Sequence, residues 1–240
     1  MNIALLGYGK MGHAIEEIAI QKGHNIVCKV GIENLEDRTR ENIVEADVVI
    51  EFSSPDSAYE NVMLCLENGV PVVCGSTGWL DKYEQVKKYC EEHNGGLIYA
   101  SNFSVGVNIF FALNKKLAQL MAPHKEYKVD LKEIHHTQKL DAPSGTAITL
   151  AEQIMEKLEY KKKWVNNPSA IENELAIISE RTDPAPGTHI INYHSDIDDI
   201  CITHTAHSRK GFASGAVLAA EFLGKKKTGV YSMKDVLGIE

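Results

Sequence analysis

A chain of 240 residues with 44% hydrophobic and 24% charged residues suits one large or two modest domains and is long enough to bury a sizeable core. A formal net charge of −8 opposes nucleic acid or an anionic membrane as a partner, and the lysine runs at 161–163 and 225–227 read as solvated surface. No stretch reaches the roughly 20 apolar residues of a membrane span, no signal peptide is expected at the amino terminus, and five scattered cysteines without a C-x-x-C read as reduced, mostly buried thiols of a cytoplasmic protein.

In chain order, "NIALL" is a short apolar strand, and "HAIEEIAIQKGH" puts Ile15, Ile18 and Ala19 on one helical face that ends at Gly23. "NIVCKV" and "ADVVIEF" are further strands. "SPDSAYENVMLCLENG" is a helix with Pro55 in its first turn and Gly69 at its end. "VPVVCG", the amphipathic "LDKYEQVKKYCEEHNGG" and "LIYA" continue the alternation, which predicts a Rossmann-type, doubly wound parallel sheet.

The pattern changes near 105–107. "VNIFFALNKKLAQLMA" is a helix closed by Pro123, "YKVDLKEIHH" alternates with period two, and "SGTAITLAEQIMEKLEY" carries Ile148, Ala151, Ile154, Met155 and Leu158 on one helical face. Three strand-like runs follow, "ELAIISE", "THIINYHS" and "DICITHTAH", the last two joined by "DIDD", and they predict a mixed or antiparallel sheet. The helices "FASGAVLAAEFLG" and "SMKDVLG" close the chain. We therefore expect an α/β protein with one domain of 1–106 plus 216–240, and a smaller α+β domain of 107–215.

Gly7-x-Gly9-x-x-Gly12 lies between the first strand and the first helix. Gly7 permits a tight turn, Gly9 lets backbone approach a pyrophosphate, Gly12 lets helix and strand pack closely, and the helix start offers free N–H groups. Glu33, at the end of the second strand, reads equally as a ligand of the adenine ribose or as an ordinary surface glutamate. No arginine follows it directly, which favours NADH; Lys29 and Arg38 lie near enough in sequence to weaken that inference. The loops "EFSSP", "CGSTGW" and "ASNFSVGVN" follow strand ends, where such sheets bind ligands. Each also reads as a plain strand-to-helix turn.

Residues 133–147, "EIHHTQKLDAPSGTA", concentrate proton-trading groups. Glu133 and His135 share a strand face with Val129 and Leu131, and His136 faces the other way. Lys139 sits in the following loop, and Ser144-Gly145-Thr146 opens a helix whose N–H groups suit a carboxylate. His189, His194, His204 and His207 invite a metal, but no carboxylate or cysteine lies at ligand spacing and no metal is expected. A nucleophile elbow is absent. Arg209 reads as a partner for a substrate carboxylate or as an exposed ion-pair residue.

The span "EIHHTQKLDAPSGTA", with "GYGKMG", "VVIEFSSPDSA", "GVPVVCGSTGW", "ASNFSVGVN", "THTAHSRKGFASGAV" and "GVYSMKDVLG" in the same order, resembles the 4-hydroxy-tetrahydrodipicolinate reductase (dihydrodipicolinate reductase) family over nearly the whole chain. The resemblance implies a cytoplasmic, homotetrameric enzyme of lysine and diaminopimelate synthesis that delivers a hydride from NADH or NADPH to a small cyclic dicarboxylate imine. It makes 1–106 plus 216–240 the dinucleotide-binding domain and 107–215 the substrate-binding and oligomerisation domain. By position it makes His135 and Lys139 catalytic, and His136, Ser144, Gly145 and Thr146 substrate-binding. It lines the cofactor with Gly7, Tyr8, Gly9, Lys10, Met11, Gly12, Glu33, Gly75, Ser76, Thr77, Ala100, Ser101, Asn102 and Phe103. Two stretches depart from the family's pattern: Val30-Gly31-Ile32-Glu33, and "RTDPAPGTHII", in which Gly187 and His189 stay in register. The alternative is a dinucleotide-binding redox sensor or a related amino-acid dehydrogenase.

Overall fold

A computed structural model describes residues 1–208 and 210–239. The chain divides into two compact units, Met1–Val105 with Lys210–Glu240, and Gly106–Arg209. The first unit opens with β1 (Asn2–Leu6), α1 (Lys10–Gln21), β2 (Asn25–Val30), the single turn α2 (Arg40–Ile43), β3 (Val48–Glu51), α3 (Pro55–Glu67), β4 (Val72–Cys74), α4 (Tyr83–Glu92) and β5 (Gly96–Tyr99). The helix α5 (Val105–Met121) begins the second unit. It is followed by β6 (Lys128–His135), α6 (Gly145–Lys157), β7 (Lys163–Val165), β8 (Glu174–Arg181), β9 (Gly187–His194) and β10 (Asp199–Ala206). The chain then returns to the first unit with α7 (Lys210–Lys226), β11 (Gly229–Tyr231) and α8 (Met233–Leu237).

The first unit is a parallel six-stranded sheet in the order β11-β5-β4-β3-β1-β2. Its inner strands are almost wholly apolar because helices cover both faces, whereas the edge strand β2 keeps Asn25 and Lys29 exposed. Ala4, Leu6, Val49, Val72 and Leu97 pack with Val62, Cys65 and Val86 from α3 and α4. Ile3, Leu5, Ile50, Val73 and Ile98 pack with Ile15 and Ala19 of α1 and with Ala213, Ala216, Val217 and Ala220 of α7. Those small residues let α7 lie close to the sheet along its whole length. The helix therefore belongs to this unit from Lys210, and the return comes earlier than the expected 216. β1 lies between β2 and β3, so the winding reverses there and the loops after β1, β3, β4 and β5 share the carboxyl edge of the sheet.

The second unit is a mixed sheet, β10-β9-β6-β8-β7, with β8 parallel to β6 and to β7 and β9 antiparallel to β6 and to β10. β6 alternates as its sequence requires: Val129, Leu131, Glu133 and His135 are buried, with exposed or half-buried residues between them. Val129 and Leu131 join Ile177, Ile191 and Tyr193 under Leu150, Ala151 and Ile154 of α6. The two polar members of that inward row, Glu133 and His135, mark where the core gives way to a site.

The short strands β7 and β11 escape sequence reading because their three residues are of mixed character and only partly buried, unlike the equally short but wholly apolar β4. The lysine run 161–163 is correspondingly more than solvated surface. It leads into β7, with Lys161 Nζ donating to the Glu174 carbonyl at 2.7 Å and Lys163 Nζ 2.9 Å from the Glu174 carboxylate. The five cysteines are free thiols, with Cys65, Cys74 and Cys90 buried, Cys28 partly so and Cys201 exposed. Among the described residues, no helix is long and apolar enough to cross a membrane.

Candidate active site

In the first unit the site begins where β1 ends. Gly7 has φ +100°, and a Cβ there would lie 2.1 Å from the Phe52 carbonyl oxygen, so only glycine fits between the loops after β1 and β3. The N–H groups of Gly7 and Tyr8 both donate to the Val30 carbonyl at 2.9 Å. Gly9 is the cap residue of α1. Its side makes no cap hydrogen bond, a Cβ there would meet nothing within 4 Å, and the first turn carries no acid. That open, uncapped helix start fits a pyrophosphate. Gly12 is buried within α1, Met11 is half-buried and Lys10 is exposed.

The other loops meet at the same edge. Ser76 Oγ accepts the Ser53 N–H at 2.9 Å, its carbonyl accepts Trp79 Nε1 at 2.8 Å, and Gly75 leaves room for the Phe52 ring; Thr77 is exposed. Ala100 N–H reaches the Cys74 carbonyl at 3.3 Å, Asn102 Oδ1 accepts the Ser104 N–H at 2.9 Å, and Phe103 is buried with its ring 5.5 Å from that of Phe52; Ser101 is exposed. Glu33 stands apart in the exposed loop after β2.

Sequence reasoning missed Glu51. It ends the apolar β3 fully buried, accepts the Ser53 N–H at 3.0 Å, the Ser53 hydroxyl, Asn61 Nδ2 at 3.3 Å and the Cys74 thiol at 3.0 Å, and so ties the loop after β3 to α3 and β4. Burial, then the Glu51 charge, pushes the Cys74 thiol well above its ordinary range. The one signal in the sequence is an acid closing an otherwise apolar run.

In the second unit, Glu133 is the centre. Its carboxylate is fully buried and accepts the Ser144 N–H at 3.1 and 3.2 Å and Arg181 at 3.1 Å. His135 Nε2 lies 3.5 Å and His189 Nε2 3.7 Å from its second oxygen. Register explains the grouping: Glu133 pairs with His189 across β9, and His135 with Arg181 across β8. Burial pushes the Glu133 carboxyl up. Hydrogen bonds from His135, His189 and Ser144 outweigh that and hold it well below the usual carboxylate range. The two imidazoles are 3.5 Å apart through their Nε2 atoms, and His189 Nε2 is 3.2 Å from Ser144 Oγ. Gly187 makes the space: a Cβ there would sit 2.9 Å from His135 Cε1.

Ligand atoms of Glu133, His135 and His189 all lie within 4.8 Å of one another, a grouping that linear spacing could not reveal because His189 stands 54 residues beyond His135. The Glu133 carboxylate is already shared by the Arg181 guanidinium and the Ser144 N–H. His204, across β10 from His189, has its imidazole held below the ordinary range by burial and by His189.

Ser144 caps α6 by accepting the Ala147 N–H at 3.2 Å. Beyond it, Gly145 is exposed and Thr146 half-buried, and among the described residues their N–H groups have no partner. The structure thus brings His135, Ser144, Gly145 and Thr146 to one place. Lys139 is placed differently: its ammonium is bound at 2.8 Å to both oxygens of Asp141, and the carbonyls of Lys139 and Asp141 accept from Arg181. Arg181, another residue missed in the sequence, so connects the lysine loop to Glu133. His136 lies beyond the strand in a turn closed by the Lys139 N–H on its carbonyl at 3.1 Å, and Thr137 donates to Asp183, which pins the departing "RTDPAPG" loop. Arg209 lies outside the described residues.

Residues 1–103 match the family described as dihydrodipicolinate reductase, N-terminus, and residues 106–237 match its C-terminus. A protein of Christiangramia forsetii named 4-hydroxy-tetrahydrodipicolinate reductase is 53% identical over 237 residues, spanning 99% of this chain and 98% of the relative. One of the same name from Methanosarcina barkeri is 32% identical over 266 residues, spanning all of both. A dipicolinate-bound dihydrodipicolinate reductase from Paenisporosarcina sp. TG-14 superposes with a TM-score of 0.76 at 26% identity over 97% of each chain. An amine dehydrogenase from Mycobacterium smegmatis shares the fold alone, with a TM-score of 0.63 at 11% identity over 97% of this chain and 95% of its own. By the two family matches and by identity along its full length, this chain is an oxidoreductase that belongs to the dihydrodipicolinate reductase family.

Proposed function

We propose that the chain reduces 4-hydroxy-tetrahydrodipicolinate to tetrahydrodipicolinate, consuming NADH or NADPH and one proton and releasing water. The observation that carries this reading is the buried Glu133–His135–His189 cluster beside the open first turn of α6, an acid–base group next to an anion cradle. The relatives' names and the dipicolinate held by the Paenisporosarcina structure support a cyclic dicarboxylate as the ligand. The first unit's glycine loop and strand-end loops hold the nucleotide, which supplies a hydride to the conjugated imine.

Each residue's part follows from chemistry. The N–H groups of Gly145 and Thr146 bind a ring carboxylate at the positive end of α6, with Ser144 shaping the turn and His136 binding at its edge. His135 is the proton donor and acceptor for the ring carbon that gains electron density, and Glu133 orients its imidazole and stabilises its charged form. Lys139, released from Asp141 when substrate carboxylates compete for its ammonium, donates the proton with which the ring hydroxyl leaves as water, the one proton the reaction consumes. His135 returns to the ring carbon the proton it accepted. Pre-oriented groups of this kind lower the barrier without reorganisation during the step. The enzyme serves lysine and diaminopimelate synthesis in the cytoplasm as a homotetramer built through the second unit's sheet. There the edge strand β10 and the turn before it expose Ile197 and Ile200.

The test mixes purified protein with the synthase-made cyclic substrate and each reduced nucleotide and follows nucleotide absorbance. Substrate-dependent oxidation is expected. Nucleotide binding without any turnover would favour the redox-sensor alternative and end this reading. Sedimentation should report about four times the chain mass.

A further inference from the structure

We infer that the loop after β2 selects NADH over NADPH. This rests on the reading that the glycine loop holds the dinucleotide, and it goes beyond it by choosing between two nucleotides that differ at one ribose position. In a sheet of this type the adenine ribose lies at the end of β2, where an acid accepts from a free 2′-hydroxyl and a cation is required for a 2′-phosphate. Residues 31–37 carry Glu33, Glu36 and Asp37 and no lysine or arginine. Asn34 fixes the loop's shape: its Oδ1 accepts the Gly31 N–H at 2.8 Å, and its Nδ2 donates to the Lys29 carbonyl at 2.8 Å and to Asp37 at 2.7 Å. Glu33 is left exposed, with no cation paired to it among the described residues.

The two cations that flank this loop are both engaged elsewhere. Lys29 Nζ is 3.1 Å from Glu16 Oε1 and 4.9 Å from the centre of the Tyr8 ring, and Glu16 is itself bound by the Tyr8 hydroxyl. The three side chains form one unit that holds the ammonium over the glycine loop's own tyrosine. Arg38 donates to Asn61 at 3.2 Å and lies 3.4 Å from Glu60, both on α3. A 2′-phosphate, nearly doubly charged at neutral pH, would therefore meet carboxylates before it met a free cation. Arg40, exposed at the start of α2 beyond the Thr39 cap, is the rival, and the test includes it.

The experiment measures kcat/KM with saturating cyclic substrate, and Kd by nucleotide fluorescence, for NADH and NADPH on the full chain and on the E16Q, E33Q and R40A variants. The wild type should favour NADH by about tenfold or more in both readouts. E33Q should narrow the gap by about tenfold, and E16Q, which frees Lys29, by about threefold through better use of NADPH. R40A should leave the ratio within about twofold of wild type. A wild-type ratio near one, or in favour of NADPH, overturns the inference, as does an NADPH affinity that collapses in R40A. If neither nucleotide binds, the glycine-loop reading and this inference fall together. If both bind but the cyclic substrate is not reduced, the proposed reaction fails while the Kd ratio still decides the preference.

Discussion

Gly7 and Glu133 both stand where a strand hands the chain toward a helix, yet the two units use those places in opposite ways. In the parallel sheet the loop after β1 is built from backbone: Gly7 admits the Phe52 carbonyl, Gly9 leaves open space, and side chains stay out of the way. In the mixed sheet the same kind of junction is filled with side chains, as Glu133, His135, His189 and Arg181 from three neighbouring strands meet Ser144 at the start of α6. The first arrangement recognises a shape and a charge; the second can move a proton. On the proposed function, one surface would bind the nucleotide common to many enzymes, and the other would determine the reaction.

The sharpest way to break that division is to strike the second unit and look at the first. His135→Gln and Lys139→Ala should each lower turnover by about two to four orders of magnitude while the NADH Kd stays near normal. Equal losses of binding and turnover would mean that the two units do not divide the work. Next in size is Glu133→Ala, which strands Arg181 and two imidazoles in a buried space and should cost about 3–5 kcal/mol in chemical denaturation. Glu133→Gln asks the same question through pH. The Glu133 carboxyl is depressed in the folded state, so the unfolded chain binds more protons as pH falls below the ordinary carboxylate range of about 4.3. The stability it contributes is present above that range and is lost on acidification below it. The acid limb of the stability curve should therefore be shallower in the Gln variant.

A matched pair of glycine substitutions sharpens the comparison. Gly187→Ala drives a methyl toward the His135 ring, and should lower kcat by about tenfold with nucleotide binding intact. Gly7→Ala drives one into the Phe52 carbonyl and should weaken nucleotide binding and stability together, by about 1–3 kcal/mol in unfolding. Smallest is Ser144→Ala, where loss of the α6 cap should cost about 1 kcal/mol and raise KM for the cyclic substrate more than it lowers kcat.

The same contrast explains what could be read without coordinates. A backbone site is a local motif, so Gly7, Gly9 and Gly12 stand out in one short string between a strand and a helix. The alternation of strands and helices, the inward row of β6 and the cap at Ser144 are equally local, and the structure has them where periodicity placed them. A side-chain site is assembled by register. Arg181 and His189 reach Glu133 because β8 and β9 flank β6, and nothing in their own neighbourhoods announces it. Glu51 hides for another reason: a buried acid at a strand end looks like the edge of a loop until its donors are known. The ammonium of Lys139 shows a third limit, since nearness to His135 along the chain does not decide which carboxylate holds it.

The return of the chain at Lys210 has a consequence for biogenesis. β11 completes the parallel sheet beside β5, and α7 covers Ile3, Leu5, Val73 and Ile98, yet both leave the ribosome only after the whole inserted unit. At elongation speeds of about 5–20 residues per second, the nascent sheet waits roughly ten seconds with one apolar face covered by α1 alone. The unit that starts second is thus the first able to mature. That interval is when the uncovered apolar surface is most open to association with other chains.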